Sequence, residues 1–131
     1  MWVTMLDDTT VKWTPKEHRH TTASIGHNAS LALLREKWPT VRILQEVSIP
    51  IVRNKTLYLD IFIPILNIAV EFHGVQHFKF TPMFHKSKMD FVAGKKNDRN
   101  KKEWCELNGI TLIEFSYKDS EGDMREKLDE C

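Results

Sequence analysis

Apolar residues recur at helical spacing in the first third of the chain. Between residues 31 and 38 they lie three or four positions apart, and Pro39 follows. This spacing predicts a helix with one buried face, which Asn28 or Ser30 would cap and Pro39 would end. The polar, His-rich segment 17–27 has no apolar periodicity, so we expect a loop there.

Three segments in the middle of the chain have the pattern of β-strands. Residues 41–49, 57–63 and 68–73 are rich in β-branched residues and alternate between apolar and polar positions. Short polar or Pro-containing connections separate them, and residues 64–67 are short enough for a tight turn. The pattern therefore predicts an antiparallel meander.

The last third of the chain returns to helical periodicity. Residues 95–108 predict a helix that Gly109 would close in a left-handed conformation. The apolar run 110–115 is typical of a buried strand, and Asp119 or Ser120 would begin a final amphipathic helix. The order α-β-β-β-α-β-α predicts an α/β sandwich with a central mixed sheet.

Length and composition indicate one globular domain. The chain has 131 residues, of which 41% are hydrophobic, enough for a single core. We expect an N-terminal arm or hairpin (1–23), a core (24–117) and an acidic C-terminal helix (118–131). No apolar stretch of about 18 residues and no leader pattern occurs, so we expect an intracellular protein, cytoplasmic or nucleoid-associated, without membrane contact.

The formal net charge of +1 conceals a separation of charge along the chain. Segment 86–102 is strongly basic, whereas 119–131 is acidic. A clustered basic segment is what a phosphate backbone attracts, although a solvated helix face has the same composition. The residues that we expect to contact such a backbone are Lys95, Lys96, Arg99, Lys101 and Lys102.

Two carboxylates are expected to meet on the second and third strands. If residues 64–67 form the turn, paired residue numbers sum to 131, so Asp60 faces Glu71. Side chains alternate across a strand, so Asp60, Glu71 and His73 would share one face. The other face would be apolar, formed by Leu59, Ile61, Ile63, Ile68, Val70 and Phe72. Facing carboxylates repel each other, which predicts a cation between them.

A divalent metal ion is the cation that best fits two carboxylates. Mg²⁺, with Mn²⁺ as a substitute, prefers carboxylate oxygens and can activate water toward a phosphodiester. His73 and His77 would then handle protons, since imidazole titrates near neutral pH. Alternatively, Glu71 forms a salt bridge with a lysine and the histidines are ordinary polar residues. The His-x3-His spacing also permits zinc, but Gly74 disfavours the helix that this spacing requires.

The motifs EFHGVQHF and KNDRNKKEWCELNGITLIEF resemble those of a known nuclease family. They are similar to the PD-(D/E)XK nucleases, and more narrowly to the very-short-patch repair endonucleases and the EDxHD phage homing endonucleases. The resemblance implies a metal-dependent DNA endonuclease with a restriction-endonuclease-like fold. It assigns Asp60 as a metal ligand, His77 as the catalytic histidine and Asp98 as the later acid.

The chain departs from this family at two positions. His73 stands where the core motif usually has a lysine, and His27 stands where the branch has a glutamate near its N-terminal helix. Either His27 takes a different role, or Glu46 supplies the missing charge, or the site is weakened. Gln76 is a further candidate beside His77. Asp98 would orient His77, or it would only favour a helix N-terminus.

Three functions remain open from the sequence. The first is an endonuclease that uses Mg²⁺ to hydrolyse DNA, for which a double-strand cut would favour a homodimer. The second is a catalytically silent nucleic-acid-binding module of the same fold, suggested by the missing glutamate at His27. The third is a zinc-stabilised interaction domain.

Overall fold

The computed structural model of the protein describes residues 1–18, 24–74 and 88–131. A short N-terminal hairpin precedes the helices and strands that the sequence predicts. The elements, in chain order, are β1 (Trp2–Thr4), β2 (Thr10–Lys12), α1 (Ile25–Lys37), β3 (Leu44–Val52), β4 (Lys55–Ile63), a 3-10 turn (Pro64–Leu66), β5 (Ile68–His73), α2 (Lys88–Leu107), β6 (Thr111–Ser116) and α3 (Glu121–Asp129).

The four longer strands form one mixed sheet in the order β3-β4-β5-β6. β3, β4 and β5 are antiparallel neighbours, and β6 runs parallel to β5 after the crossover through α2. β1 and β2 form a second, two-stranded sheet. The expectation of an α/β protein with a mixed sheet is thus confirmed.

The predicted register of β4 and β5 is confirmed. The structure pairs Ile61 with Val70, Phe62 with Ala69 and Ile63 with Ile68, so each pair sums to 131. The 3-10 turn makes the connection, and Asn67 follows it in the left-handed conformation with φ 52°. Asparagine tolerates this conformation better than most residues, which explains the tight turn.

Apolar side chains pack on both faces of the sheet. On one face, Trp104 of α2 meets Trp13 from the end of the hairpin, with ring centroids 5.2 Å apart. On the other face, α1 and α3 cover the sheet through residues such as Leu34 and Leu128. The placement of Leu59 was predicted wrongly, because it packs on the α2 face, opposite Ile61.

Both long helices begin earlier than the sequence pattern predicts. The N-cap of α1 is Ser24, whose Oγ accepts a hydrogen bond from the backbone N of His27 at 3.0 Å, so Asn28 and Ser30 do not cap it. Helix α2 already includes Lys88, which places Asp98 in the middle of the helix. The helix-dipole explanation of Asp98 therefore fails, since that effect is confined to the first turn.

The C-terminal elements agree with the sequence pattern. Gly109 has φ 68° and ends α2 as predicted. Ser120 caps α3 in a capping box with Asp123. Within the described ranges, no helix combines the length and apolar character needed to cross a bilayer.

Candidate functional site

The centre of the sheet contains an irregularity between β3 and β4. Gln45 pairs with Ile61 and Val47 pairs with Leu59, but the strand register skips Glu46 and Asp60 between them. Glu46 has φ 49°, a left-handed conformation that is costly for a residue with a Cβ, and strained conformations of this kind cluster at functional sites. The side-chain alternation of β4 reverses here, which explains the position of Leu59.

The irregularity brings three potential metal ligands together. His27 from α1, Glu46 from β3 and Asp60 from β4 each offer a ligand atom, and these atoms lie within 4.8 Å of one another. His27 is buried at 5% exposure, and its Nε2 lies 2.9 Å from Oε1 of Gln45. His27, which stands where the family has a glutamate, and Glu46, the candidate source of the missing charge, therefore lie together beside Asp60.

The chemistry of this group, called here the His27 triad, fits a divalent cation. Two carboxylates and one imidazole are the donors that Mg²⁺, Mn²⁺ and related ions accept. Metal-ligating histidines usually hold their second ring nitrogen in a hydrogen bond, and Gln45 provides such a partner for His27. A cation would also offset the repulsion between Glu46 and Asp60.

Glu71 lies next to the triad and contacts both the backbone of Asp60 and a lysine of α2. Its side chain is 3% exposed and accepts hydrogen bonds from the backbone N of Asp60 at 2.6 Å and from Nζ of Lys101 at 2.7 Å. Asp60 in turn accepts a hydrogen bond from the backbone N of Phe72 at 2.9 Å. The two carboxylates expected to face each other are thus neighbours that brace both strands, and Lys101 supplies a cation.

Burial determines the ionisation of this pair. Desolvation, followed by the charge of Asp60, raises the pKa of Glu71 to about 8, while Lys101 acts in the opposite direction. Desolvation lowers the pKa of Lys101, but the charge and hydrogen bond of Glu71 outweigh it and the net shift is upward. The cluster of Asp60 and Glu71 therefore favours additional positive charge.

Lys101 occupies a different place from the other basic residues of its segment. It was expected to contact phosphates at the surface, yet its side chain is only 15% exposed and points to Glu71. The sequence contains a signal for this position: Lys101, Trp104 and Cys105 are spaced at i, i+3 and i+4, so they share the helix face that packs on the sheet. The salt-bridged Glu71 considered as an alternative is what the structure contains.

A second polar cluster surrounds His73, which follows Glu71 by two residues on β5. The ring of His73 stands between Asp98 and Glu114, with Nδ1 4.0 Å from Asp98 Oδ2 and Nε2 3.4 Å from Glu114 Oε1. The hydrogen bond with His73 is the main cause that lowers the pKa of Glu114. Sequence reasoning missed Glu114, although the apolar run 110–115 contains this single acid on the same sheet face as His73.

The remaining basic residues of α2 divide between two surfaces. Lys95, Arg99 and Lys102 line an open cavity of about 550 Å³ together with His73, Asp98 and Glu114. Lys96 is exposed and does not line this cavity. His77 and Gln76 lie outside the described residues, and so does the expected contact between His77 and Asp98.

Comparisons with known proteins give relatives without an assigned activity. The chain is 42% identical over 64 residues to uncharacterized protein 307L of Invertebrate iridescent virus 6. The aligned segment covers 49% of this chain and 32% of that protein. It is 37% identical over 68 residues to uncharacterized protein 033L of Invertebrate iridescent virus 3, covering 52% and 34%. It is also 36% identical over 78 residues to uncharacterized protein 094L of Frog virus 3, covering 57% and 50%.

The matches span between a third and a half of the length of these curated relatives. No protein-family model matches the chain. No solved structure matches it either. The arrangement of the site residues thus carries the functional argument.

Proposed function

We propose that this protein is a metal-dependent endonuclease that hydrolyses DNA phosphodiester bonds, with Mg²⁺ or Mn²⁺ held by His27, Glu46 and Asp60. The observation that carries the proposal is the convergence of these three side chains from α1, β3 and β4 at a strained point of the sheet. We further propose that the mixed sheet with helices on both faces is the restriction-endonuclease-like sandwich of the PD-(D/E)XK nucleases.

The donors of the triad suit an ion that works on phosphate esters. A bound divalent cation would supply a water of lowered pKa and stabilise negative charge on the leaving oxygen. The carboxylates of Glu46 and Asp60 would hold it, and the buried ring of His27, which Gln45 orients, would complete the ligand set.

The neighbouring residues would position the reacting groups. Glu71 fixes the backbone of Asp60, and Lys101 keeps a positive charge beside both carboxylates. Lys101 therefore stands in for the lysine that the family usually carries two positions after its acid, where this chain has His73. His73, oriented by Asp98 and Glu114, would exchange protons with the reacting water or the leaving group.

Other parts of the proposal follow from the substrate. Lys96, Arg99 and Lys102 are exposed on α2, where they would contact DNA phosphates. A location where DNA is present, cytoplasmic or nucleoid-associated, belongs to the same proposal. A double-strand cut would need two copies of the site and hence a homodimer.

Cleavage of supercoiled plasmid tests the proposal directly. The wild-type chain is incubated with plasmid in Mg²⁺, in Mn²⁺ or in EDTA, beside Asp60→Asn, which keeps the side-chain shape and removes the charge. Glu103→Gln is the matched control, since Glu103 is an exposed acid of α2 outside the triad and the cavity. We expect metal-dependent nicking or linearisation by the wild type and by Glu103→Gln, and none by Asp60→Asn.

Two results would contradict the proposal. Equal cleavage by Asp60→Asn would mean that the triad does not carry the reaction. An intact plasmid under every condition, together with measurable DNA binding, would favour the silent nucleic-acid-binding module instead.

A further inference from the structure

The cavity beside β6 shares no residue with the His27 triad, and four elements line it. Its volume is about 550 Å³, within the range of roughly 300–1,000 Å³ typical of ligand pockets. Helix α2 contributes four of the lining residues, and His73 of β5, Glu114 of β6 and Lys127 of α3 line it as well.

Positive charge dominates this cavity. Four cations line it, and three of them, Lys95, Arg99 and Lys102, lie at i, i+4 and i+7 on one face of α2. Like charges at such spacing repel each other on a helix, so a bound anionic ligand would reduce this repulsion.

The acids of the cavity are already engaged. Asp98 and Glu114 both flank the ring of His73. Lys127 is engaged as well, because its Nζ contacts Asp119 Oδ2 at 2.8 Å and the carbonyl oxygen of Glu114 at 2.9 Å. In the described part of the chain, no ion pair involves Arg99 or Lys102.

Arg99 and Lys102 offer the chemistry that binds a phosphate. A guanidinium presents paired N–H donors that match two oxygens of a phosphate, and an ammonium adds a point charge. Both side chains belong to exposed residues, so a ligand can reach them from solvent.

The cavity also lies close to the proposed reaction centre. His73 follows Glu71 by two residues on the same face of β5, a rise of about 7 Å along a strand. Asp98, in the cavity wall, contributes to the electrostatic environment of Lys101, whose Nζ contacts Glu71. The two-residue rise between Glu71, which holds the backbone of Asp60, and His73, which lines the cavity, is on the order of the spacing of consecutive phosphates along one nucleic-acid strand.

We propose that this cavity, through Arg99 and Lys102, binds a phosphate of the nucleic-acid strand next to the phosphate at the His27 triad. The inference rests on the proposed function, since it names a second subsite for the same strand. The phosphate comes either from an internal linkage of a continuous strand or from a phosphorylated strand end.

Binding in EDTA tests this subsite without cleavage. A fluorescein-labelled single-stranded oligonucleotide is titrated with the full chain at several salt concentrations, and its anisotropy gives Kd. Arg99→Gln and Lys102→Gln should each weaken binding about three- to tenfold and reduce the salt dependence by about 0.7 in the log–log slope. Lys55→Gln, the same kind of charge change in the β3–β4 hairpin, should leave both quantities unchanged.

A neutral methylphosphonate moved along the oligonucleotide makes the test specific. At one position the methylphosphonate should weaken binding of the oligonucleotide to the wild type. The same oligonucleotide should bind Arg99→Gln and Lys102→Gln as tightly as the unmodified one does. An effect at an internal linkage identifies a continuous strand, whereas an effect only of the 5′-phosphate, against a 5′-hydroxyl, identifies a strand end. Equal effects at every position, or unchanged binding by both variants, would overturn the subsite.

The two proposals fail in different ways. If Asp60→Asn abolishes plasmid cleavage while the cavity variants bind normally, the nuclease stands and the subsite is wrong. If no plasmid is cut but the methylphosphonate result depends on Arg99, the subsite binds phosphate and the proposed catalysis is wrong.

Discussion

His27 is the residue at which this chain departs most clearly from the nuclease pattern that we propose for it. A glutamate there would give the site three carboxylates, whereas the structure places an imidazole with Glu46 and Asp60. Imidazole binds first-row transition ions better than it binds Mg²⁺, which prefers oxygen ligands. The residue type at position 27 should therefore influence the choice of metal.

We predict that His27→Glu shifts the activating metal from Mn²⁺ toward Mg²⁺. The ratio of the Mg²⁺ and Mn²⁺ concentrations that give half-maximal cleavage should fall by about tenfold, which corresponds to about 1.4 kcal/mol. His27→Gln is the control, because it removes the imidazole without adding a carboxylate and should weaken both metals. An unchanged ratio in His27→Glu would exclude His27 as a ligand.

The backbone of Glu46 gives a second prediction at this scale. Its φ of 49° is unfavourable for a residue with a Cβ, and glycine adopts it without strain. Glu46→Gly should therefore stabilise the metal-free protein by about 1 kcal/mol, or about 4 °C in Tm, while it removes a metal ligand.

Glu46→Gln separates strain from charge, since it loses the carboxylate but keeps the Cβ. We expect Glu46→Gly to have the higher Tm of the two in EDTA, and neither to respond to metal as the wild type does. If the two variants melt together, the left-handed backbone at this position stores no strain.

Sequence reasoning located individual site residues unevenly. The meeting of Asp60 and Glu71 was predictable, because a tight turn and strict alternation determine the register. The left-handed backbone of Glu46 was not, because nothing in the local sequence encodes it. Lys101 was predicted to contact phosphates because it belongs to a basic segment. Its spacing from Trp104 and Cys105, however, already indicated that it lies on the buried face of the helix.

At the scale of elements, the close approach of α1 to β5 positions His27. Gly26 has no Cβ, and a Cβ there would collide with the ring of Phe72. His27 follows immediately in the first turn of the helix, which Ser24 caps. A small residue at position 26 therefore determines how near the triad histidine comes to the sheet.

Gly26→Ala should consequently impair the site from outside it. We expect a loss of about 1–3 kcal/mol in the free energy of unfolding from overpacking, and weaker metal activation because α1 must move away from β5. Gly94→Ala is the matched control: apart from its chain neighbours and its own helix backbone, no atom of the described residues lies within 4 Å of the added Cβ. This change in α2 should therefore stabilise the protein by about 0.5–1 kcal/mol. Denaturant unfolding gives the free energy of unfolding of both variants, and metal titration gives their metal activation. Equal values of both quantities in Gly26→Ala and Gly94→Ala would contradict the prediction.

The order of the elements was predictable where their boundaries were not. Apolar alternation and helical periodicity indicate which face of a segment is buried. They were sufficient to predict which segments are strands or helices and how β4 pairs with β5. The start of α1 was missed because segment 24–30 lacks an apolar stripe and is held by Ser24 and by the Ser30 hydroxyl, which donates to the Gly26 carbonyl at 2.7 Å. The start of α2 was missed because its first turns carry few buried residues.

At the scale of the whole molecule, the His27 triad joins parts of the chain that unfolding would separate. His27, Glu46 and Asp60 come from a helix and two strands, and only the folded sheet holds their ligand atoms within 4.8 Å. A metal ion that binds this triad would bind the native state and not the unfolded chain. Metal binding is then linked to global stability by mass action.

We therefore predict that Mn²⁺ raises the Tm of the wild-type protein in proportion to the logarithm of its concentration. At a free concentration of 100 times Kd the gain should be about 2.7 kcal/mol, a shift on the order of 10 °C for a chain of this length. Asp60→Asn should lose most of the shift, and Glu103→Gln should keep it. A rise of equal size in Asp60→Asn would mean that the ion binds elsewhere, whereas a shift that disappears with Asp60 would establish the triad as a metal site before any substrate is known.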